Sequence, residues 1–112
     1  MQTGDIVIVN FPYSNLIEEK ARPAVVVTVS EDSYRDVIVC MISSVIPRSI
    51  LNHQILLTPS KKNNLRAISI LKVGRIVTIE NNKVIALIGK LDKEELKKFK
   101  ISFKSLVENN VE

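Results

Sequence analysis

The chain has 112 residues, of which 46% are hydrophobic and 25% are charged, a composition typical of a soluble globular protein. We expect one domain spanning residues 1–112, because a chain of this length supports one core. The longest apolar run, Ala24 to Val29, is interrupted by Thr28 and is far shorter than the roughly 20 residues that cross a bilayer. The first residues lack the cationic and apolar regions of a signal peptide. We therefore expect a cytoplasmic protein with no membrane partner.

The net charge does not decide between classes of partner, and the single cysteine argues against a disulfide or a zinc site. Sixteen Lys and Arg against twelve Asp and Glu give a net charge of +4. Such a charge fits a polyanionic partner, but it also occurs in proteins that bind none. The single cysteine, Cys40, lies inside an apolar run. We expect it to be a buried core residue, because it has no partner for an internal disulfide or a zinc site.

Short apolar runs predict a mostly β protein. Ile and Val make up 29 of the 112 residues, and β-branched residues favour strands. The predicted strands are Asp5 to Phe11, Ala24 to Val29, Val37 to Ile42, Gln54 to Leu57, Ala67 to Leu71, Arg75 to Ile79 and Val84 to Gly89. All four prolines fall between these runs or at their edges, where a missing N–H removes no ladder hydrogen bond. Polar segments predict a tight turn at Asn81–Asn82 and loops at Ser14 to Lys20, Ile46 to Asn52 and Ser60 to Arg66.

The last part of the chain changes to a helical period. Apolar residues recur there at spacings of three and four, which places them on one face of a helix: Leu96, Phe99, Phe103, Leu106 and Val107. Asp92 and Glu95 have the spacing of a capping box at the start of this helix. The lysines that follow form either a solvated face or a contact with nucleic acid.

The polar residues argue against several classes of site. His53 is the only histidine, and no carboxylate pair at helical spacing accompanies it, which argues against a metal site. No Gly-x-Ser-x-Gly motif is present, which argues against a serine hydrolase triad. The three glycines are too scattered to form a phosphate-binding loop.

Arg22 and the pair Ser43–Ser44 remain, and both lie at the ends of predicted strands. An arginine in such a position can donate two parallel hydrogen bonds to a phosphate, and a neighbouring hydroxyl can donate another. Alternatively, Arg22 pairs with Glu18 or Glu19 and the serines only end a strand. The residues by themselves leave both interpretations open.

Four short segments follow one another along nearly the whole chain: Gly4-Asp5-Ile6-Val7-Ile8-Val9, Arg22-Pro23-Ala24-Val25-Val26-Val27, Ile42-Ser43-Ser44 and Ile88-Gly89-Lys90-Leu91. In this order and spacing the chain resembles the MazF/PemK toxins of bacterial toxin–antitoxin pairs. The resemblance extends from Gly4 to about Val107. No segment is specific by itself, and their common register carries the resemblance.

The resemblance implies an SH3-like small β-barrel with a C-terminal helix. It also implies a homodimer that cleaves single-stranded RNA without a metal or another cofactor. The ribose 2′-OH would attack the adjacent phosphate and leave a 2′,3′-cyclic phosphate and a free 5′-OH. The implied partners are the RNA substrate, a cognate antitoxin protein and a second copy of the chain.

The resemblance also implies site residues. The family's catalytic arginine matches Arg22, which would stabilise the developing negative charge, and its strand-end hydroxyl matches Ser43, which would hold the phosphate. We further predict RNA contacts for Asn15, Glu18, Glu19, Lys20, Ser44, His53, Lys72 and Arg75. Gly74 stands where some relatives carry an acidic residue, so Glu18 or Glu19 would supply the general base. The loop before Arg22 departs from many relatives because it has no glycine.

A second hypothesis comes from a different functional class. A small barrel of the same fold can bind a protein target, as a topoisomerase poison does, or bind nucleic acid without cleaving it. Gly74 keeps this alternative open, because it cannot act as a base. Few aromatic residues lie outside the helix, which disfavours a platform that binds nucleic acid by base stacking.

Overall fold

The computed structural model describes residues 1–12 and 19–108, with only the backbone of Pro12 and Glu19. These residues form β1 (Asp5–Pro12), β2 (Glu19–Val29), β3 (Val37–Ser43), β4 (Gln54–Leu57), β5 (Ser69–Ile79), β6 (Val84–Lys90) and α1 (Lys93–Glu108). The turn predicted between the last two strands is a turn of 3₁₀ helix, Asn81–Lys83. No helix among the described residues is long and apolar enough to cross a membrane.

The six strands form one antiparallel sheet in the order β4-β5-β3-β2-β1-β6. No ladder joins the edge strands β4 and β6 within the described ranges. The loop after β4 instead contacts β6. The N–H of Lys90 donates to the carbonyl oxygen of Lys62 at 3.0 Å, and Nδ2 of Asn64 donates to the carbonyl oxygen of Ile88 at 2.5 Å. The mostly β fold with a C-terminal helix is confirmed, although the sheet does not close into a barrel.

β2 is longer than the sequence indicates. It begins at Glu19 instead of Ala24, so Pro23 lies inside a strand and its predicted place at a strand edge is wrong. The reason is unequal pairing on the two sides of β2. The strand pairs with β1 from Glu19 onward, whereas its ladder with β3 begins only at Ala24. Pro23 therefore has one paired neighbour, as a proline in an edge strand does.

The two strands predicted in the region of β5 are a single strand, and the predicted break between them is wrong. The pairing with β3 nevertheless shifts at that place. Cys40 pairs with Ile76, and Ile42 pairs with Leu71, so the segment 72–75 bulges out of the β3–β5 ladder. A bulge bends a strand without ending it. β5 thereby pairs with β4 in its first half and continues along β3 in its second half.

Cys40 is buried beside this bulge, which confirms its predicted place in the core. Its thiol donates a hydrogen bond to the carbonyl oxygen of Val73 at 3.2 Å. The N–H of Val73 donates to the carbonyl oxygen of His53 at 2.9 Å. Both backbone groups of the bulged residue are therefore bonded. Burial raises the pKa of the Cys40 thiol to about 12, so the thiol stays protonated at neutral pH.

The buried apolar side chains form two clusters, and alternate residues of β1 and β2 enter different ones. Ile6 and Val25 belong to the cluster that includes Phe99 of α1. Val9 and Val26 belong to the other cluster, which contains no residue of the helix. These strands therefore bury apolar side chains on both faces, as expected from the period of two in a strand.

α1 begins and packs as its sequence predicts. The N–H of Glu95 donates to Oδ1 of Asp92 at 2.8 Å, and the N–H of Asp92 donates to Oε1 of Glu95 at 2.9 Å. This reciprocal pair is a capping box and satisfies N–H groups at the start of the helix. Phe99 is buried, and its ring meets the ring of Phe103 edge to face at a centroid distance of 6.1 Å.

The contact between β6 and the β4–β5 loop generates a first prediction. A Cβ added at Gly89 would lie 2.8 Å from the carbonyl carbon and oxygen of Asn63 and would also meet the carbonyl oxygen of Lys62. We expect Gly89→Ala to lower the free energy of unfolding by about 1–3 kcal/mol, because backbone must move. Gly74→Ala is the matched control, since its Cβ would meet only Cδ2 of Leu106 at 3.9 Å.

We expect the control to be neutral or to stabilise the protein by up to about 1 kcal/mol. Denaturant unfolding of both variants measures the difference. Equal stabilities of the two variants would contradict the close packing at Gly89.

Candidate nucleic-acid interface

A groove with a volume of about 780 Å³ opens at the end of the sheet where β2 begins and β3 ends. The β4–β5 loop forms its other side. Apolar residues from several strands contribute to its lining, among them Ile8, Ile42 and Ile88. The basic residues of the lining are Lys20, Arg22 and Arg66. Volumes of about 300–1,000 Å³ are typical of ligand sites.

Lys20 and Arg22 reach the groove because β2 extends beyond β3. Both residues pair with β1: Lys20 pairs with Phe11, and Arg22 pairs with Val9. The ladder between β2 and β3 begins only at Ala24, so it stops before both basic residues. Arg22 is half-buried and Lys20 is exposed. The structure therefore brings together two of the residues predicted from the sequence, on one strand beside the groove.

The two serines at the end of β3 have different surroundings. Ser44 is exposed and lines the groove. Ser43 is half-buried, and its Oγ accepts a hydrogen bond from the N–H of Val45 at 3.1 Å. A hydroxyl that accepts one bond can still donate its proton. Ser44 lies on the groove surface itself, and Ser43 is its neighbour at the strand end.

Electrostatics favours an anionic ligand in this groove. Lys20, Arg22 and Arg66 contribute three cationic side chains, and the described lining contains no Asp or Glu. Cations gathered on a concave surface raise the local concentration of anions. Asn64 and Ser69 add an amide and a hydroxyl to the lining. The groove is thus suited to a phosphate-rich chain.

Sequence reasoning missed Arg66. Its position was predicted to be part of a polar loop, and the structure confirms an irregular segment there. Nothing local distinguishes Arg66 from Lys61 and Lys62 in the same loop. Only the path of the folded loop brings Arg66, and not the two lysines, to the groove.

Three other predicted RNA contacts lie elsewhere. His53 occupies a separate cleft of about 440 Å³ beside α1, with a left-handed φ of 66° and its Nε2 3.4 Å from Oγ of Ser105. Lys72 is half-buried on β5, where it pairs with Gln54. Arg75 is exposed on the same strand. None of these three residues lines the groove, and their contact with RNA stays a prediction.

The predicted acidic groups are not part of the described groove. Asn15 and Glu18 lie outside the described residues, and only the backbone of Glu19 is described, at the start of β2. A general base from Glu18 or Glu19 therefore stays a prediction. Within residues 1–12 and 19–108, no three His, Cys, Asp or Glu side chains come together in an arrangement that could hold a metal ion.

The chain is similar in sequence to one protein family and in fold to several solved structures. A profile of a family described as PemK-like, MazF-like toxin of type II toxin-antitoxin system matches residues 2–107. An endoribonuclease in complex with its cognate antitoxin, from a mycobacterial species, superposes with a TM-score of 0.70 at 13% identity, covering 100% of this chain and 99% of that chain. The Mycobacterium tuberculosis toxin MazF-mt6 superposes with a TM-score of 0.64 at 14% identity, covering 94% of this chain and 99% of that chain. No curated protein sequence matches significantly.

The two structural likenesses, at such low identity, establish a shared fold. The profile establishes more, because it covers nearly the whole chain, including the segments around Arg22, Ser43 and Gly89. This confirms the resemblance found in the sequence. The chain therefore belongs to the family of PemK-like, MazF-like toxins of type II toxin–antitoxin systems.

Proposed function

We propose that this toxin is a metal-independent endoribonuclease that cleaves single-stranded RNA in the groove described above. The observation that carries the proposal is the gathering of Lys20, Arg22 and Arg66 around a groove whose described lining has no acidic residue. Family membership supports it, as does the description of one structural neighbour as an endoribonuclease. Cleavage of messenger RNA in the cytoplasm would stop translation and growth.

In the proposed mechanism, the scissile phosphate lies between Arg22 and the serines at the end of β3. The 2′-oxygen forms a bond to phosphorus while the bond from phosphorus to O5′ breaks, which leaves a 2′,3′-cyclic phosphate and a 5′-OH. Arg22 donates two parallel hydrogen bonds to the oxygens that gain charge, and Ser43 or Ser44 donates another. A carboxylate, that of Glu18 or Glu19, takes the proton of the 2′-OH. Lys20 or Arg22 gives a proton to O5′.

We also propose that two copies of the chain associate. Large apolar side chains remain exposed on β5, β6 and α1: Ile76 (46%), Ile85 (54%), Leu87 (55%) and Ile101 (61%). Symmetric homodimers are the commonest assemblies of soluble proteins, and exposed apolar surface is what they cover.

The cognate antitoxin is proposed to bind the same groove as RNA. An acidic segment that folds on contact would pair with the groove cations and would compete directly with the substrate. One structural neighbour is described as bound to its own cognate antitoxin, which supports a partner of this kind here.

Cleavage of a long RNA in the presence of EDTA tests the proposed activity and the role of Arg22. We expect the wild-type protein to cleave and Arg22→Ala to be slower by a factor of about a hundred or more, as for loss of a group that stabilises the transition state. Ser43→Ala should be affected less. Arg22→Lys should cleave at a rate between those of the wild type and Arg22→Ala, because it keeps the charge and loses the two parallel hydrogen bonds.

Arg48→Ala is the matched control, since Arg48 is exposed in the loop before β4 and does not line the groove. Cleavage by Arg22→Ala at the wild-type rate, with an unchanged melting temperature, would contradict the mechanism. Binding of RNA by the wild type without cleavage would favour the alternative of a non-catalytic binding protein.

The proposed association predicts a mass about twice the 12.6 kDa of one chain. Light scattering at micromolar concentration measures it directly. The apolar side chains exposed in one copy are expected to be covered in the pair. A monomer mass at that concentration would rule out a stable homodimer.

The shared groove predicts that RNA and antitoxin lose affinity together. Lys20→Ala should lower the salt dependence of RNA binding by about 0.7 in the logarithmic slope, the value expected for one phosphate contact to a single strand. It should also weaken antitoxin binding. Unchanged antitoxin affinity in a variant with weaker RNA binding would exclude the shared site. The salt dependence of RNA binding, measured in the same way for Lys72→Ala and Arg75→Ala, tests whether bound RNA extends over β5.

A further inference from the structure

The loop between β4 and β5 is folded around one buried polar side chain, Asn63, which is 0% exposed. Its Oδ1 accepts hydrogen bonds from the N–H of Ser60 at 2.9 Å and from the N–H of Leu65 at 3.0 Å. Its Nδ2 donates to the carbonyl oxygen of Thr58 at 2.9 Å. The N–H of Asn63 donates to Oγ of Ser60 at 3.1 Å. One side chain thus fixes the path of the loop, because it bonds to backbone on both sides of itself.

The same loop is anchored to β6. The carbonyl oxygen of Lys62 accepts from the N–H of Lys90, and Nδ2 of Asn64 donates to the carbonyl oxygen of Ile88. Gly89 lies between these contacts and permits them, because a Cβ there would overlap the loop backbone. Asn64 has a φ of 54°, a left-handed conformation that asparagine tolerates better than most residues. The loop is therefore held by the hydrogen bonds of Asn63 within it and by its hydrogen bonds to β6.

Arg66 follows this anchored segment and lines the groove. Leu65 before it is only 9% exposed and belongs to the core cluster that contains Phe99. Ser69 after it is buried at the start of β5. The chain is thus anchored in the core just before Arg66, at Leu65, and again three residues after it, at Ser69.

We propose that Arg66 binds a phosphate of the RNA next to the scissile one, and that Asn63 positions Arg66 for this contact; the inference rests on the proposed function. Arg22 comes from the strand side of the groove and Arg66 from its loop side. The groove that both residues line has a volume of about 780 Å³, which is large enough for more than one phosphate. Because the loop is ordered before RNA binds, little further ordering opposes the contact. Arg66 therefore sets RNA affinity, whereas Arg22 sets the rate of the chemical step.

The test compares Arg66→Ala with Lys61→Ala, which removes a positive charge from the same loop but outside the groove. Two quantities are measured: steady-state cleavage of natural RNA, and binding of the same sequence with 2′-O-methyl riboses, which lacks the nucleophile. We expect Arg66→Ala to raise KM and Kd about tenfold, as for loss of one charge-assisted hydrogen-bonded contact. Its kcat should stay within about twofold of the wild type. Lys61→Ala should leave KM, Kd and kcat unchanged.

A double-mutant cycle tests the positioning role of Asn63. Asn63→Ala should raise KM in the wild-type background and add little in the Arg66→Ala background, because it acts through Arg66. If Asn63→Ala does not fold, Asn63→Asp replaces it in the cycle, since it keeps an oxygen for the N–H groups of Ser60 and Leu65. Equal effects of the Asn63 change on KM in both backgrounds would show that Asn63 acts independently of Arg66 and would overturn its positioning role.

Two results overturn the assignment of Arg66. One is wild-type KM and Kd in Arg66→Ala, and the other is an unchanged KM with a lowered kcat. Wild-type protein that binds the methylated RNA without cleaving natural RNA would remove the proposed activity, and the binding comparison would still decide the role of Arg66. Wild-type protein that neither cleaves nor binds RNA would overturn both proposals.

Discussion

The missing amide hydrogen of Pro23 shapes the end of the sheet at which the groove opens. A central strand is paired on both sides, and a proline cannot donate to a ladder. β2 resolves this conflict by pairing with β3 only from Ala24 onward, while its pairing with β1 continues back to Glu19. The residues just before the proline, Arg22 among them, therefore project beyond the β2–β3 ladder. Pro23 thus marks the place where the β2–β3 ladder stops, and Arg22 places a cation beside the opening that results.

The other side of the groove depends on contacts far apart in the chain. β5 pairs with β4 at its start and bulges before it continues along β3, so one strand reaches both partners. The β4–β5 loop then lies against β6, where Gly89 leaves room for its backbone. Arg66 is carried to the groove by this loop, and Arg22 is carried there by β2. Two cations that are distant in sequence come to the same groove because sheet pairing and loop packing act together.

Local signals in the sequence predict most of the elements, and non-local contacts explain the errors. The bounds of β4 match the apolar run from Gln54 to Leu57, and the capping box at Asp92 marks the start of α1. By contrast, the length of β2 depends on its pairing with β1, and the continuity of β5 depends on two different partners. Neither dependence is visible in a run of neighbouring residues.

The residues of the candidate site also differ in whether a local signal in the sequence predicts them. Arg22 and Ser44 were predicted because the Arg-Pro pair and the Ile-Ser-Ser segment are local motifs, and both residues line the groove. Arg66 was missed because its position follows from a loop that bonds to β6, with Asn64 and Ile88 lying 24 residues apart.

The groove can carry three cations because its walls are held by other interactions. Like charges gathered in one place repel one another and destabilise the structure that holds them. Here the strand wall is stabilised by the two apolar clusters, and the loop wall by the hydrogen bonds of Asn63. Neither set of interactions involves the side chains of Lys20, Arg22 or Arg66. The residues that stabilise the walls of the groove are therefore different from the residues that give the groove its positive charge.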